Sequence, residues 1–315
     1  MQQYVLRRFG SSILVIFLVT ILVFVFVNVL PGGDVVERRL GGSLLTREEI
    51  EAFREKEGLN RPLVSRYADW ISGIFQGDFG RSDFNQLDVW DQLVDRAPAT
   101  LELGGIALLL IVLIGVPSGM ISAITRNSPT DYTSRFGAIL GLSIPDFLLA
   151  LIALLVLSKY LGWTPPIGYV KPWDDLGKNL EQVWLPATIL GVRGAAASAR
   201  MTRSTMLEVL GEDYIRTARA KGLAERAVVL RHAARNSMIP VVTIIGLQAG
   251  FIIAGAIVIE FIFNIPGMGL WLISSVRSRD FIPLQAIVLV FAVSITLANL
   301  IVDLSYTWFD PRIRY

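Results

Sequence analysis

Residues 11–30 read Ser-Ser-Ile-Leu-Val-Ile-Phe-Leu-Val-Thr-Ile-Leu-Val-Phe-Val-Phe-Val-Asn-Val-Leu, twenty positions without a formal charge. A helix of about 20 apolar residues, rising about 1.5 Å per residue, crosses about 30 Å of hydrocarbon. Lipid offers the backbone no hydrogen-bond partner, so such a run must satisfy its amides internally, as a helix. Arg7 and Arg8 precede it, as basic residues precede a secretory leader. The apolar run is too long for a leader, however, and Leu30-Pro31-Gly32-Gly33-Asp34 is not a small-x-small cleavage site. The sequence therefore predicts a retained span.

Working outward, five more runs of the same kind follow: Leu101 to Ile124, Phe136 to Leu157, Leu185 to about Met206, Ile239 to Phe263, and Ile282 to Leu304. Pro117 and Pro145 fall inside the second and third spans, where membrane helices tolerate proline. The fourth is the least apolar, and its Gly191, Gly194, Ala195, Ala196, Ala197 and Ser198 permit close backbone approach, which places it inside the bundle. With 53% hydrophobic residues over 315 positions, the fold class is an all-α polytopic membrane protein of about six transmembrane helices. There is no cysteine, so disulfide and thiolate chemistry are excluded, and a net charge of +2 gives no reason to expect a nucleic-acid partner.

Basic residues in short loops set the orientation. Arg7, Arg8, Arg126, Arg216, Arg219, Lys221, Arg226, Arg231, Arg235, Arg312 and Arg314 share one side under six spans, which makes that side and both termini cytoplasmic. Arg277 and Arg279 fall outside and weaken the pattern without reversing it. The chain then divides into an N-terminal span (1–30), an external region (31–97), a core (98–304) holding the cytoplasmic loop 207–236, and a tail (305–315). In the external region Thr46-Arg47-Glu48-Glu49 reads as a capping box opening a short helix. Leu63, Tyr67, Trp70, Ile71 and Ile74 recur at helical spacing, either as a cover on the bundle or as a docking surface for an external protein.

Catalytic signatures are missing. His232 is the only histidine, so no two-histidine zinc motif forms, and there is no G-x-S-x-G elbow and no G-x-x-x-x-G-K-[ST] phosphate loop. The chain is thus read as no enzyme, with no metal of its own. Ionisable residues at membrane depth are costly and default to functional candidates. Arg193 is either a contact for a carboxylate or carbonyl of passing cargo, or a structural charge, paired with Glu102 or snorkelling. Asp146 either lines a path or caps a kink at Pro145. Glu260 and Asp303 lie near span ends, where interfacial structure is the favoured reading and a path role for Glu260 stays open.

Between spans four and five stands Gly211-Glu212-Asp213-Tyr214-Ile215-Arg216-Thr217-Ala218-Arg219-Ala220-Lys221-Gly222. Acid at the start, base towards the end and glycine at the close suit a short helix with a left-handed cap. A capped helix in a water-facing loop is suited to touching a soluble partner.

Asp213 to Gly222, Arg235-Asn236-Ser237-Met238-Ile239-Pro240, Glu260-x-x-Phe263-x-x-Pro266-Gly267-x-Gly269, Gly77-Asp78-Phe79-Gly80-Arg81-Ser82 and the ending Asp310 to Tyr315 together resemble the permease subunits of bacterial ATP-binding-cassette importers of the dipeptide and oligopeptide group, with nickel and glutathione importers as relatives. The resemblance runs over essentially the whole chain. It departs from the broader importer motif, Glu-Ala-Ala, three residues, then Gly: Arg216, Thr217 and Ala218 fill the first three places, and only Ala218 and Gly222 match. The resemblance implies a type I importer permease fold in the bacterial inner membrane and half of a pathway for short peptides. The partners it implies are a second, paralogous permease, two cytoplasmic ATPases that bind ATP and magnesium, and an external substrate-binding protein. It also implies that the helix over Glu212–Lys221 couples to an ATPase, with Tyr214 and Ile215 as apolar anchors and Ala218, Ala220 and Gly222 permitting close docking. A nickel chelate or glutathione is the alternative cargo, and an ion-gradient transporter the alternative machine.

Overall fold

A computed structural model describes residues 2–29, 47–56, 58 and 60–309. Residues 30–46, which include Thr46 of the expected capping box, and the ending Asp310 to Tyr315 lie outside the described residues. Among those described, the named elements are all helices, with one isolated antiparallel bridge between Arg81 and Asp88. The elements are α1 (Gln2–Val29), α2 (Arg47–Lys56), α3 (Leu63–Phe75), α4 (Val89–Ile124), α5 (Pro129–Ser143), α6 (Asp146–Leu161), α7 (Leu176–Leu210), α8 (Asp213–Ala220), α9 (Glu225–Phe263), α10 (Met268–Ser278) and α11 (Phe281–Phe309). Among the described residues four stretches are long and apolar enough to cross a membrane: Val5–Asn28, Val89–Ile124, Glu225–Phe263 and Phe281–Ser305.

The third expected span is corrected. Phe136 to Leu157 is not one helix: α5 and α6 meet at 103°. Proline drives the residue before it out of the helical region, and Ile144 accordingly sits at φ −92°, ψ 123°. Pro145 therefore starts a new helix instead of kinking an old one. Pro117 acts more gently. It cannot donate to the carbonyl four residues back, and α4 widens into a π turn over Ile111–Gly115 just before it while continuing on to Ile124.

Helix α7, 35 residues long, is the axis of the bundle, packing against α4, α5, α6 and α9. It carries Arg193, Arg200 and Arg203 among alanines and glycines, and that polarity keeps it out of the apolar set above. Small residues set how close its neighbours come. A Cβ on Gly115 would lie 2.7 Å from the Ala195 carbonyl oxygen, and one on Gly119 2.4 Å from that of Ala199. Buried Ala195, Ser198, Ala199 and Thr202 thus meet α4 nearly backbone to backbone, and Ala196 meets Gly141 of α5.

Three buried clusters follow α4 from end to end. Val89 and Leu93 pack with Met268, Trp271, Ile287 and Phe291 at one end. Leu103, Ala107 and Ile111 join Val183, Leu190, Ile252 and Ile259 in the middle. Ala123 joins Met206, Ile215, Ala218, Val228, Val229 and Ala233 at the other end. Outside this core, α1 leans on α11, and Arg8 pairs with Asp303 at 3.1 Å. The expected amphipathic helix α3 covers α1: Tyr67 and Trp70 stand 5.4 and 5.7 Å from the Phe24 ring, and Tyr67 shares a 2.7 Å hydrogen bond with Thr20.

Candidate functional site

At the Ala123 end, α7 stops at Leu210 and the chain turns through Gly211 into α8, an eight-residue helix. Asp213 stands in its first turn and Arg219 in its last, each favourable to the helix dipole. Its close is a Schellman cap. The Gly222 amide donates to the Arg219 carbonyl at 2.9 Å and the Leu223 amide to that of Ala218 at 3.4 Å. Gly222 sits at φ +78°, a conformation glycine adopts without steric cost.

Two anchors fix α8 to the bundle. Arg219 donates to both carboxylate oxygens of Glu225, at 2.7 and 3.1 Å, tying the end of α8 to the start of α9. The Asn236 side-chain amide donates to the Tyr214 hydroxyl at 2.8 Å. Residues three apart share one face, and on α8 that face is Ile215 and Ala218, which sink into the cluster with Met206, Val228 and Ala233. Ile215, 0% exposed, and Ala218, 7%, thus pack against their own chain. Glu212, Asp213, Tyr214, Arg216, Thr217, Arg219, Ala220, Lys221 and Gly222 are exposed. Glu212 occupies the N-cap position without making a side-chain cap bond.

Midway along α7, Arg193 is exposed on a helix otherwise flanked by buried Gly191, Gly194, Ala195 and Ala196. Arg200, two turns on, shares its face. Asp146 opens α6, half-buried, with Oδ2 turned towards Gly255 of α9 and within electrostatic reach of Arg193. The pairing of Arg193 with Glu102 does not form. Glu102 instead accepts from the Tyr169 hydroxyl at 2.6 Å and from the Asn179 amide at 2.9 Å. Burial, and then that carboxylate, push the Tyr169 phenol above its ordinary pKa, so it stays a donor.

Glu260 stands apart from these two, at the α10 end and 0% exposed. Thr100 Oγ1 donates to its Oε1 at 2.6 Å, the Leu270 amide donates to its Oε2 at 3.0 Å, and the Met268 amide donates to Thr100 at 2.8 Å. Its carboxylate therefore locks the α9–α10 turn against α4. The glycines of its motif make room for it: a Cβ on Gly267 would lie 2.4 Å from the carboxylate carbon, and one on Gly269 2.5 Å from the Ile257 Cα. The Gly77–Ser82 segment is pinned nearby, with Asp280 accepting from the Ser82 hydroxyl and, at 3.1 Å, from the Asp83 amide.

A central helix that leads into a short, tied-down helix fits a known family. The family described as binding-protein-dependent transport system inner membrane component matches residues 115–315, and its N-terminal companion matches residues 1–104. The chain belongs to the binding-protein-dependent transport system inner membrane components. It is 41% identical over 315 residues to the glutathione transport system permease protein GsiC of Escherichia coli (strain K12) and to that of Shigella dysenteriae serotype 1 (strain Sd197), all of each chain being covered. It is 40% identical over 338 aligned positions to the dipeptide transport system permease protein DppB of E. coli (strain K12), covering all of this chain and 99% of the relative. This inner membrane component therefore has the type I permease fold of its family.

Sequence reading missed residues whose meaning lies in three-dimensional contacts. Asp131, Arg203 and Ser122 form a largely buried polar knot, Thr100 holds the buried Glu260, and Tyr169 and Asn179 hold the half-buried Glu102. Ser128-Pro129-Thr130-Asp131 did carry a signal, the spacing of a helix start, and Ser128 does accept from the Asp131 amide at 3.2 Å.

Proposed function

We propose that this chain forms half of the translocation pathway of an ATP-binding-cassette importer for short peptides, and that two cytoplasmic ATPases drive it through the exposed face of α8. The observation that carries this reading is the division of labour on α8. Ile215 and Ala218 seat it between the ends of α7 and α9, while Tyr214, Arg216, Thr217 and Lys221 face outward. A lever transmits force only if its own end is fixed, and moving a two-state equilibrium decisively takes about 5 kcal/mol of differential binding. The second permease, an external binding protein and the ATPases with their ATP and magnesium complete the machine. In this reading α8 faces the cytoplasm, α7 and the bent pair α5–α6 bring the crossings to six, and both termini lie inside. Arg193 and Asp146 line the path.

Glutathione is the second cargo reading, favoured by the 41% identity to GsiC. The test is uptake into proteoliposomes holding this chain, its partner permease and the ATPases, with binding protein on the face opposite α8 and ATP on the α8 side. Accumulation of labelled peptide or glutathione that needs ATP and survives an ionophore supports the reading. Uptake abolished by the ionophore and indifferent to ATP contradicts it.

A further inference from the structure

At the end opposite α8, a cavity of about 500 Å³ opens between the Ser82–Asn85 segment, α4 and α10. Two arginines border it. The Arg96 guanidinium lies 4.8 Å above the Trp271 ring, and that of Arg277 lies 5.0 Å above Phe261. Among the described residues neither forms an ion pair with a carboxylate, and the one acid lining the cavity, Asp280, is already committed to Ser82 and Asp83. A cation over a ring face is positioned by the ring, which leaves N–H donors to offer elsewhere. Beside them, Ser275 is 2% exposed and its hydroxyl has no partner, a rare and costly state for a buried polar atom. A half-buried guanidinium, a second one at the rim and a buried hydroxyl without a partner thus converge on one cavity, a set of donors suited to an anion.

We propose that this cavity receives the carboxylate end of a short zwitterionic cargo before it enters the bundle, with Arg96 and Ser275 as the binding groups. The inference rests on the importer reading and adds a site to it. The cavity volume falls in the range of about 300–1,000 Å³ that holds small ligands, far more room than one acidic side chain of a docked protein fills. Aromatic Phe84 and Trp271 give its walls apolar surface for the rest of a peptide.

The test is equilibrium binding of labelled dialanine and of glutathione to the whole complex in nanodiscs, without binding protein, each probe compared with its C-terminal amide. The proposal predicts saturable binding of at least one probe, weakened about tenfold or more by the amide or by Arg96→Met, and about threefold by Ser275→Ala. On the amide, Arg96→Met has no further effect. Arg96→Lys restores most of the binding, and Ser275→Ala leaves the melting temperature unchanged or higher, since the orphaned hydroxyl is gone. No saturable binding, or equal binding of acid and amide, overturns the site. A second arm measures docking of loaded binding protein: if Arg96→Met weakens docking but not cargo binding, the arginine meets the protein and the proposal fails. Binding without any ATP-driven uptake sinks the importer reading alone, whereas uptake without binding sinks the site alone.

Discussion

Arg203 grips Asp131 through two hydrogen bonds, Nε to Oδ1 at 2.7 Å and Nη2 to Oδ2 at 2.9 Å, joining residues 72 positions apart. Asp131 is 0% exposed and also accepts from the Ser122 hydroxyl at 2.6 Å and the Asn127 amide at 3.0 Å. One carboxylate thus binds the end of α4, the start of α5 and the C-terminal half of α7, next to the cluster that seats α8. Removing one partner of such a pair costs more than the pair contributes, because the other charge stays buried. Asp131→Ala should lower stability by about 3 kcal/mol, at the low end of the range because the Arg203 side chain is 21% exposed. The double variant Asp131→Asn with Arg203→Met should recover part of that loss. Unfolding midpoints in detergent check both, and equal midpoints for all variants count against the knot.

On α8, inward and outward residues should separate by readout. Ile215→Ala removes a fully buried side chain and should cost about 2–4 kcal/mol locally, loosening the lever. Tyr214→Ala removes an exposed ring and its hydrogen bond from Asn236, and should cost only about 1 kcal/mol. Both should raise the ATP consumed per cargo moved in the reconstituted complex. An unchanged ratio for both removes α8 from the coupling role.

The Glu260 lock gives a graded series. Glu260→Ala leaves the Leu270 amide and Thr100 hydroxyl unpaired and should cost about 2–4 kcal/mol. Glu260→Gln keeps an acceptor and should cost about half as much. Gly269→Ala drives a Cβ against the Ile257 backbone and should destabilise by about 2–3 kcal/mol. Thermal melts rank the three, and a Glu260→Ala protein as stable as the parent contradicts the lock.

Arg193 tests the path. Arg193→Met should raise the cargo concentration for half-maximal uptake several-fold, with Arg193→Lys closer to the parent, if the guanidinium meets a carboxylate or carbonyl in transit. Unchanged kinetics in the Met variant take Arg193 off the path.

Much of this architecture could be read from residue order. Apolar runs marked the four helices long and apolar enough to cross a membrane, and the small residues of Gly191–Ser198 placed α7 inside. The acidic start and Gly222 marked α8 and its cap. The break at Pro145 was read as a tolerated kink because proline alone does not say whether a neighbour supports the freed backbone. Adjacent apolar residues, Tyr214 and Ile215, point about 100° apart on a helix, and nothing local says which one turns inward. The Glu102 partners and the Asp131–Arg203 pair join segments far apart in sequence, so no local spacing announces them.

The most direct measurement uses the absence of cysteine from the chain. Single cysteines at Tyr214→Cys, Thr217→Cys and Ile215→Cys can be scanned by thiol crosslinking in the assembled complex. The account predicts adducts to an ATPase subunit from positions 214 and 217, altered by ATP, and none from buried position 215. Crosslinks absent from both exposed positions while the ATPases remain bound and active would contradict it.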